Sequence, residues 1–88
     1  MELMTAPEAL LDEQKRLRRL RFVVDLTASV LYQEPGLTYD DAIDWIERTE
    51  KAVTALFPGS ETTFDLLIRP RLNRIVEERF SAGASAVN

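Results

Sequence analysis

The sequence predicts an all-α fold, a three-helix antiparallel bundle with a long first helix and a third helix kinked at Pro70. Apolar residues recur three and four positions apart along most of the chain, which is the spacing of a helix face. The dipeptides Pro35-Gly36 and Pro58-Gly59 interrupt this spacing and divide the 88 residues into three segments. No run of alternating apolar and polar residues lies between turn signals, so no strand is predicted. A chain of this length has room for one domain.

The bounds of the predicted segments follow from the same signals. The last eight residues, SAGASAVN, are small and have little apolar surface to bury, which is typical of a disordered end. The predicted organisation is a flexible N-terminus at 1–5, a helical domain at 6–80 with helices at 6–33, 38–57 and 61–80, and a disordered tail at 81–88.

The first helix is predicted to start at Thr5-Ala6-Pro7-Glu8, where threonine can cap and glutamate stands three residues later. No breaker follows until Glu34-Pro35-Gly36. The helix is then about 40 Å long at about 1.5 Å per residue, which is more than a compact bundle of this size needs. Its first half is therefore expected to project from the bundle or to lie against another chain.

The two halves of this helix differ in polarity. Residues 8–21 are amphipathic, whereas residues 22–32 (FVVDLTASVLY) are apolar on nearly every side. Only a narrow stripe formed by Arg21, Asp25 and Ser29 is polar in the second half. Because a helix that is apolar all round is a buried one, residues 22–32 are predicted to form the centre of the core.

The second helix is predicted to begin at Thr38, which can cap, with Asp40 and Asp41 favourably placed against the helix dipole. Its apolar face covers about half the circumference, more than the usual stripe of about 100°, so it is expected to contact two neighbours. That face comprises Tyr39, Ala42, Trp45, Ile46, Thr49, Ala52, Val53, Leu56 and Phe57.

The third helix carries its apolar residues on both sides of Pro70. Proline cannot donate to the carbonyl of Leu66 and its ring clashes there, so the helix must kink or restart at this point. A continuous kinked helix is favoured because the apolar pattern persists beyond the proline. The pattern comprises Phe64, Leu66, Leu67, Ile68, Leu72, Ile75, Val76 and Phe80.

Composition excludes several classes of function. The net charge of −4 and the pI of about 4.8 disfavour generic nucleic-acid binding. The chain has no cysteine and no histidine, which removes thiol nucleophiles and the commonest general base and metal ligand. No catalytic, cofactor-binding or metal-ligating residue is predicted. No secretory signal and no membrane span are recognised, so a cytoplasmic location is expected.

The strongest charge feature is a basic stretch in the first helix, with five cations in seven residues. The favoured interpretation is a solvated helix face whose cations pair with preceding acids, such as Asp12 with Arg16. An acidic protein partner, or the phosphates of a nucleic acid or membrane surface, remain alternatives because adjacent like charges repel. The candidate residues for contact with an anionic partner are Lys15, Arg16, Arg18, Arg19 and Arg21.

Carboxylates in two places are candidates for a functional site. The acidic cluster Asp40, Asp41, Asp44 and Glu47 does not match a metal-binding bundle, which draws ligands from several helices, usually with histidine. Asp25 lies in the apolar segment, where a lone buried charge is costly. We expect it to pair with Arg21 or with an arginine of the third helix, namely Arg69, Arg71 or Arg74.

The surplus of apolar surface predicts a homodimer, since large uncovered apolar patches are rare on soluble monomers. Leu10, Leu17, Val24 and Leu31 follow a seven-residue spacing, as in a coiled-coil seam. Trp45 is predicted either as core or as an interface anchor. The residues predicted to self-associate are Leu10, Leu17, Leu20, Val24, Leu31 and Trp45. The leading hypothesis is a non-enzymatic interaction module; the alternative is a nucleic-acid-binding regulator that uses the basic stretch.

Overall fold

The computed structural model describes the backbone of residues 2–87 and the side chains of residues 8–81. This part of the chain is helical apart from two short connections, and it contains no strand. The helical elements are α1 (Glu2–Gln33), α2 (Tyr39–Leu56), α3 (Glu61–Thr63), a π-helical turn (Phe64–Ile68) and α4 (Arg69–Val87). The prediction of an all-α bundle is confirmed.

The helices are longer than predicted at both ends of the chain. Helix α1 begins at Glu2 rather than near residue 6, and α4 extends to Val87 rather than 80. Residues 2–4 include good helix formers and no breaker, so the capping pattern at Thr5 does not have to mark the start. The predicted flexible N-terminus at 1–5 and disordered tail at 81–88 lie almost entirely outside the described side chains, and this division stays a prediction.

Three contacts fix the direction of the helices. The guanidinium of Arg79, late in α4, donates to the carbonyl of Leu31 at the end of α1 over 2.9 Å. The ring of Phe80, also late in α4, meets that of Tyr39 at the start of α2. Near its beginning, α4 pairs through Arg69 with Glu50 late in α2. Helix α2 therefore runs antiparallel to both α1 and α4, as the predicted bundle requires.

Each helix contributes one stripe to a single core, whose buried apolar residues are Val24, Ala28, Leu31, Ala42, Ile46, Val53, Phe64, Leu72, Ile75 and Val76. Residues 22–32 were predicted to be buried on all sides, and this prediction is wrong in part. The side chains of Phe22 and Leu26 are 65% and 46% exposed because α2 and α4 cover only one side of α1. An apolar strip therefore remains on the outer side of α1.

A capping box starts α2, as the sequence predicts. The hydroxyl of Thr38 accepts the backbone N–H of Asp41 over 3.0 Å, and the Asp41 carboxylate accepts the N–H of Thr38 over 3.2 Å. Two of the donors left over at a helix start are satisfied in this way. The start of α2, and with it the register of its buried face, is thereby defined locally.

A π-helical turn precedes Pro70 and joins α3 to α4 without leaving helical backbone angles. The N–H of Arg69 donates to the carbonyl of Phe64, five residues back. In regular α geometry the ring of Pro70 would clash with the carbonyl of Leu66, and a wider turn relieves that crowding. The predicted kink at Pro70 is not confirmed; the observed accommodation is this change of helical geometry.

The molecule is elongated because α1 extends beyond its neighbours. Its dimensions are 67 × 22 × 15 Å and its radius of gyration is 16.7 Å. A compact domain of the same length would have a radius of about 12 Å. The side chains of residues 8–19 are all exposed, and the first buried residue among the described side chains of α1 is Val24. We call residues 8–16 the overhang.

Candidate interaction surface

The end of the bundle at the α1–α2 turn is closed by specific contacts. Besides the carbonyl of Leu31, the guanidinium of Arg79 reaches that of Val30 at 3.4 Å and that of Glu34. Of these, the carbonyl of Leu31 has no helical donor because residue 35 is proline, whereas that of Val30 also accepts the N–H of Glu34 over 3.0 Å. The rings of Tyr39 and Phe80 lie edge to face with their centroids 5.7 Å apart. The helix end and the aromatic side chains there already have partners within the chain.

The opposite end has two adjoining apolar hollows, which together we call the terminal groove. The larger hollow, of about 260 Å³, lies between α1, the end of α2 and the π-helical turn; the smaller, of about 220 Å³, lies between α1 and α4. Leu17, Leu20 and Ile68 line both hollows. The larger hollow is also lined by Val53, Phe57, Ser60, Thr63 and Phe64, and the smaller by Arg21, Val24, Asp25 and Arg71.

One polar group in the larger hollow has no partner within the described residues. The hydroxyl oxygen of Ser60 is buried and makes no hydrogen bond to them. Leaving such a group unsatisfied costs about 1–3 kcal/mol.

The predicted self-association residues do not form one surface. Leu10 and Leu17 are 60% and 45% exposed, and Leu20 is half-buried at the edge of the groove. Val24 and Leu31 lie in the chain's own core, so the predicted seven-residue seam cannot as a whole face a second chain in this structure. The seam pattern arose because one helix stripe serves two purposes, the core in its second half and an exposed face in its first.

Trp45 lies away from the other predicted self-association residues. Its side chain is half-buried against the core, on the surface beside the α1–α2 turn. The structure therefore gives it a core contact at the closed end of the bundle, and places it far along α2 from the terminal groove.

The basic stretch faces solvent. All five of its cationic side chains are exposed, and none forms an ion pair with a carboxylate among the described side chains. The predicted pair of Asp12 with Arg16 is not among the ion pairs of residues 8–81. The pairs that do form join Arg48 to Asp44, Arg69 to Asp65 and to Glu50, and Arg71 to Asp25.

Three of the candidate carboxylates take part in ion pairs or helix capping within the chain. Asp25 is exposed rather than enclosed in the core, and its nearest cation is Arg71 at 3.8 Å, one of the predicted partners. Asp41 belongs to the capping box, and Asp44 pairs with Arg48 on the same helix at 2.9 Å. Among the described residues, no three side chains of the types that ligate metals come close enough together to hold an ion.

Arg69 has a structural role that the sequence analysis missed. It pairs with Asp65 at 2.9 Å and with Glu50, and its guanidinium lies 5.1 Å from the centre of the Phe64 ring. The hydrogen bond with Asp65 is the main cause that raises the pKa of Arg69, with the charge of Glu50 acting in the same direction. The spacing of Asp65 and Arg69, four residues apart on one helix, was the available signal.

A buried pair of threonines was also missed. The hydroxyl oxygens of Thr27 and Thr49 lie 2.6 Å apart in the interior, where α1 meets α2. Both residues occupy core-facing positions in the apolar pattern of their helices. A threonine on each of two facing stripes could have indicated the pair, but the sequence does not say which residues of two helices lie opposite each other.

Comparison with known protein families, with curated proteins and with solved structures gives no match for this chain. Within the described residues, no helix combines the length and the apolar character needed to cross a membrane.

Proposed function

We propose that this chain is a non-enzymatic helical interaction module that associates with a second copy of itself. The observation that carries the proposal is the apolar terminal groove beside an overhang that also exposes leucine side chains, Leu10 and Leu11. Exposed apolar surface of this kind marks interaction sites on soluble proteins. At the closed end, by contrast, the carbonyl of Leu31 and the rings of Tyr39 and Phe80 have partners within the described residues.

A non-catalytic role is part of the same proposal. An active site needs titratable or nucleophilic groups that converge in a pocket. The charged residues lining the terminal groove are Arg21, Asp25 and Arg71, and Asp25 and Arg71 pair with each other at its exposed rim. The side chains lining the larger hollow carry no charge. The cytoplasmic location predicted from the sequence stays a prediction.

Binding to an anionic partner is a second candidate function, favoured by one observation. The five cations of the basic stretch are solvent-exposed and make no ion pair with the described carboxylates. A titration against DNA and RNA at two salt concentrations tests this candidate, since phosphate contacts make affinity strongly salt-dependent. Absence of salt-sensitive binding at micromolar protein would remove nucleic acid and leave an acidic protein surface.

Solution mass tests self-association directly. Light scattering after size exclusion is expected to give twice the chain mass of 10.0 kDa. On about a hundredfold dilution the mass should fall towards the monomer, by mass action. The matched variants are Leu10→Asp, on the exposed face of the overhang, and Asp40→Asn, at the start of α2. The first should be monomeric at every concentration and the second should behave like the parent. A parent chain that is monomeric throughout would reject the proposal.

A further inference from the structure

We infer that two copies of this chain pair antiparallel through their overhangs, so that Leu10 of each copy covers Leu17 at the entrance of the other copy's terminal groove and the preceding α1 backbone extends across that groove. The inference rests on the proposed self-association and specifies its geometry. Continuous apolar surface and charge complementarity both favour a second copy as the occupant of the groove.

The apolar surface continues from the groove onto the overhang. Leu17 lines both hollows of the groove, and Leu10 lies two helical turns before it on the same face of α1. Both leucines are exposed, because α2 and the π-helical turn end beside Leu17 and Leu20. A second helix laid along this face would cover Leu10 and the entrance of the groove together.

A two-fold axis through the overhang gives both copies the same apolar contacts. If the axis crosses α1 between Glu13 and Gln14, Leu10 of one copy lies opposite the partner's Leu17. The α1 backbone continues N-terminally to Glu2, so it is long enough to extend across the partner's groove. Such an interface is isologous, with the same patch used on both copies, which is the usual symmetry of soluble homodimers.

Charge selects the antiparallel direction over the parallel one. Residues 8–13 carry three acids, Glu8, Asp12 and Glu13, and the next residues, 14–19, carry four cations of the basic stretch. In the antiparallel register each acidic segment lies alongside the basic segment of the partner. In a parallel register, acid would lie beside acid and cation beside cation, and charge patterns of this kind set the orientation of paired helices. The absence of ion pairs to the basic stretch among the described residues leaves these cations available to a partner.

Disulfide trapping tests the register, since the chain has no native cysteine. The single variants Leu10→Cys and Leu17→Cys are oxidised alone and as an equimolar mixture. In the inferred register residue 10 faces residue 17 of the other copy, whereas equal positions are offset by about 10 Å along the helix axis. A disulfide needs Cα atoms within about 7 Å, so each variant alone should trap poorly and the mixture well. Tryptic peptides identify the mixed bond, because Lys15 and Arg16 separate the two positions.

Leu26→Cys is the matched control for Leu17→Cys. Leu26 is 46% exposed against 45% for Leu17, but it lies on the other side of α1. Its mixture with Leu10→Cys should trap no more than either variant alone. If the mixture of Leu10→Cys with Leu26→Cys formed as much disulfide as the mixture with Leu17→Cys, the disulfides would arise from random collision, and the inferred register would be overturned.

The remaining outcomes separate the two proposals. If the chain is a dimer by light scattering and disulfides form between two copies of residue 10 and between two copies of residue 17, the paired helices are parallel. That result overturns the inferred antiparallel geometry but not the proposed self-association. A dimer that traps at neither position uses another surface, with the same consequence. A parent chain that is monomeric at all concentrations overturns both proposals.

Discussion

The two ends of this helical bundle differ in how they use their exposed groups. At the α1–α2 turn, Arg79 binds the last carbonyls of α1 and two aromatic rings meet edge to face. At the other end, α1 continues for several turns without a neighbour beside an apolar groove. The closed end is held by contacts within the chain, and the proposed association would use the open end.

The strongest test of this division is one substitution made at two positions of α1. Leu31 is fully buried and Leu10 is 60% exposed. Leu31→Asp places an unpaired carboxylate in the core, which costs several kcal/mol, and should unfold a small domain. Leu10→Asp adds a charge in water and should leave the helical circular dichroism and the unfolding midpoint of the monomer unchanged.

The comparison is made at a protein concentration where the parent is monomeric, because association itself adds stability. A folded Leu31→Asp variant with a parental midpoint would contradict the assignment of α1 to the core. Unfolding by Leu10→Asp would show that the overhang belongs to the cooperative unit, and would remove the distinction between the two ends.

Replacing one arginine at each end of the molecule tests the same difference between the ends, with a smaller expected loss in the free energy of unfolding. Arg79→Ala removes charge-assisted hydrogen bonds to the carbonyls at the end of α1, and we expect a loss of about 1.5 kcal/mol in the free energy of unfolding. Arg18→Ala removes an exposed cation from the basic stretch and should change the free energy by less than about 0.5 kcal/mol. Urea unfolding of both variants measures the difference. Equal losses would mean that the contacts of Arg79 add nothing to those of an exposed cation.

Local signals in the sequence were sufficient for the number of helical segments, for the two corners between them and for the start of α2. The corners at Pro35-Gly36 and Pro58-Gly59 lie between the observed helices, and the capping box at Thr38 is formed as predicted. These signals depend on a few adjacent residues, so they can be identified from the sequence without knowledge of the tertiary structure. The predicted projection of the first helix follows from its length alone and agrees with the elongated shape.

The surroundings of individual side chains were less predictable, because they depend on neighbours in space. Leu66 and Leu67 belong to the apolar pattern of the third segment, yet they are 69% and 70% exposed in the π-helical turn. That turn changes the angle between successive residues, so a periodicity of 3.6 no longer assigns faces correctly there. In the same way, the sequence predicts Val24 and Leu31 both as core residues and as contacts with a partner chain, and only the packing of α2 and α4 over them shows that they belong to the core.

The smallest expected effect concerns the paired threonines in the middle of the bundle. Thr27 can donate to the carbonyl of Val23 over 3.0 Å and Thr49 to that of Trp45 over 2.7 Å, while the two hydroxyl oxygens lie 2.6 Å apart. Two hydroxyl protons cannot make all three hydrogen bonds at once. When one threonine is replaced by valine, the hydroxyl of the other can still donate to the carbonyl four residues before it.

We therefore expect Thr27→Val and Thr49→Val each to cost about 1 kcal/mol or less, and the double variant to cost less than the sum of the two. The control is Thr54→Val, since the hydroxyl of Thr54 donates to the carbonyl of Glu50 over 2.9 Å but has no hydroxyl partner on another helix. Its effect should stay within about 0.5 kcal/mol and should add to that of Thr27→Val. Urea unfolding of the full cycle gives the coupling energy. Strict additivity of the Thr27 and Thr49 substitutions would show that the hydroxyl pair contributes nothing of its own, and that packing alone holds α1 against α2.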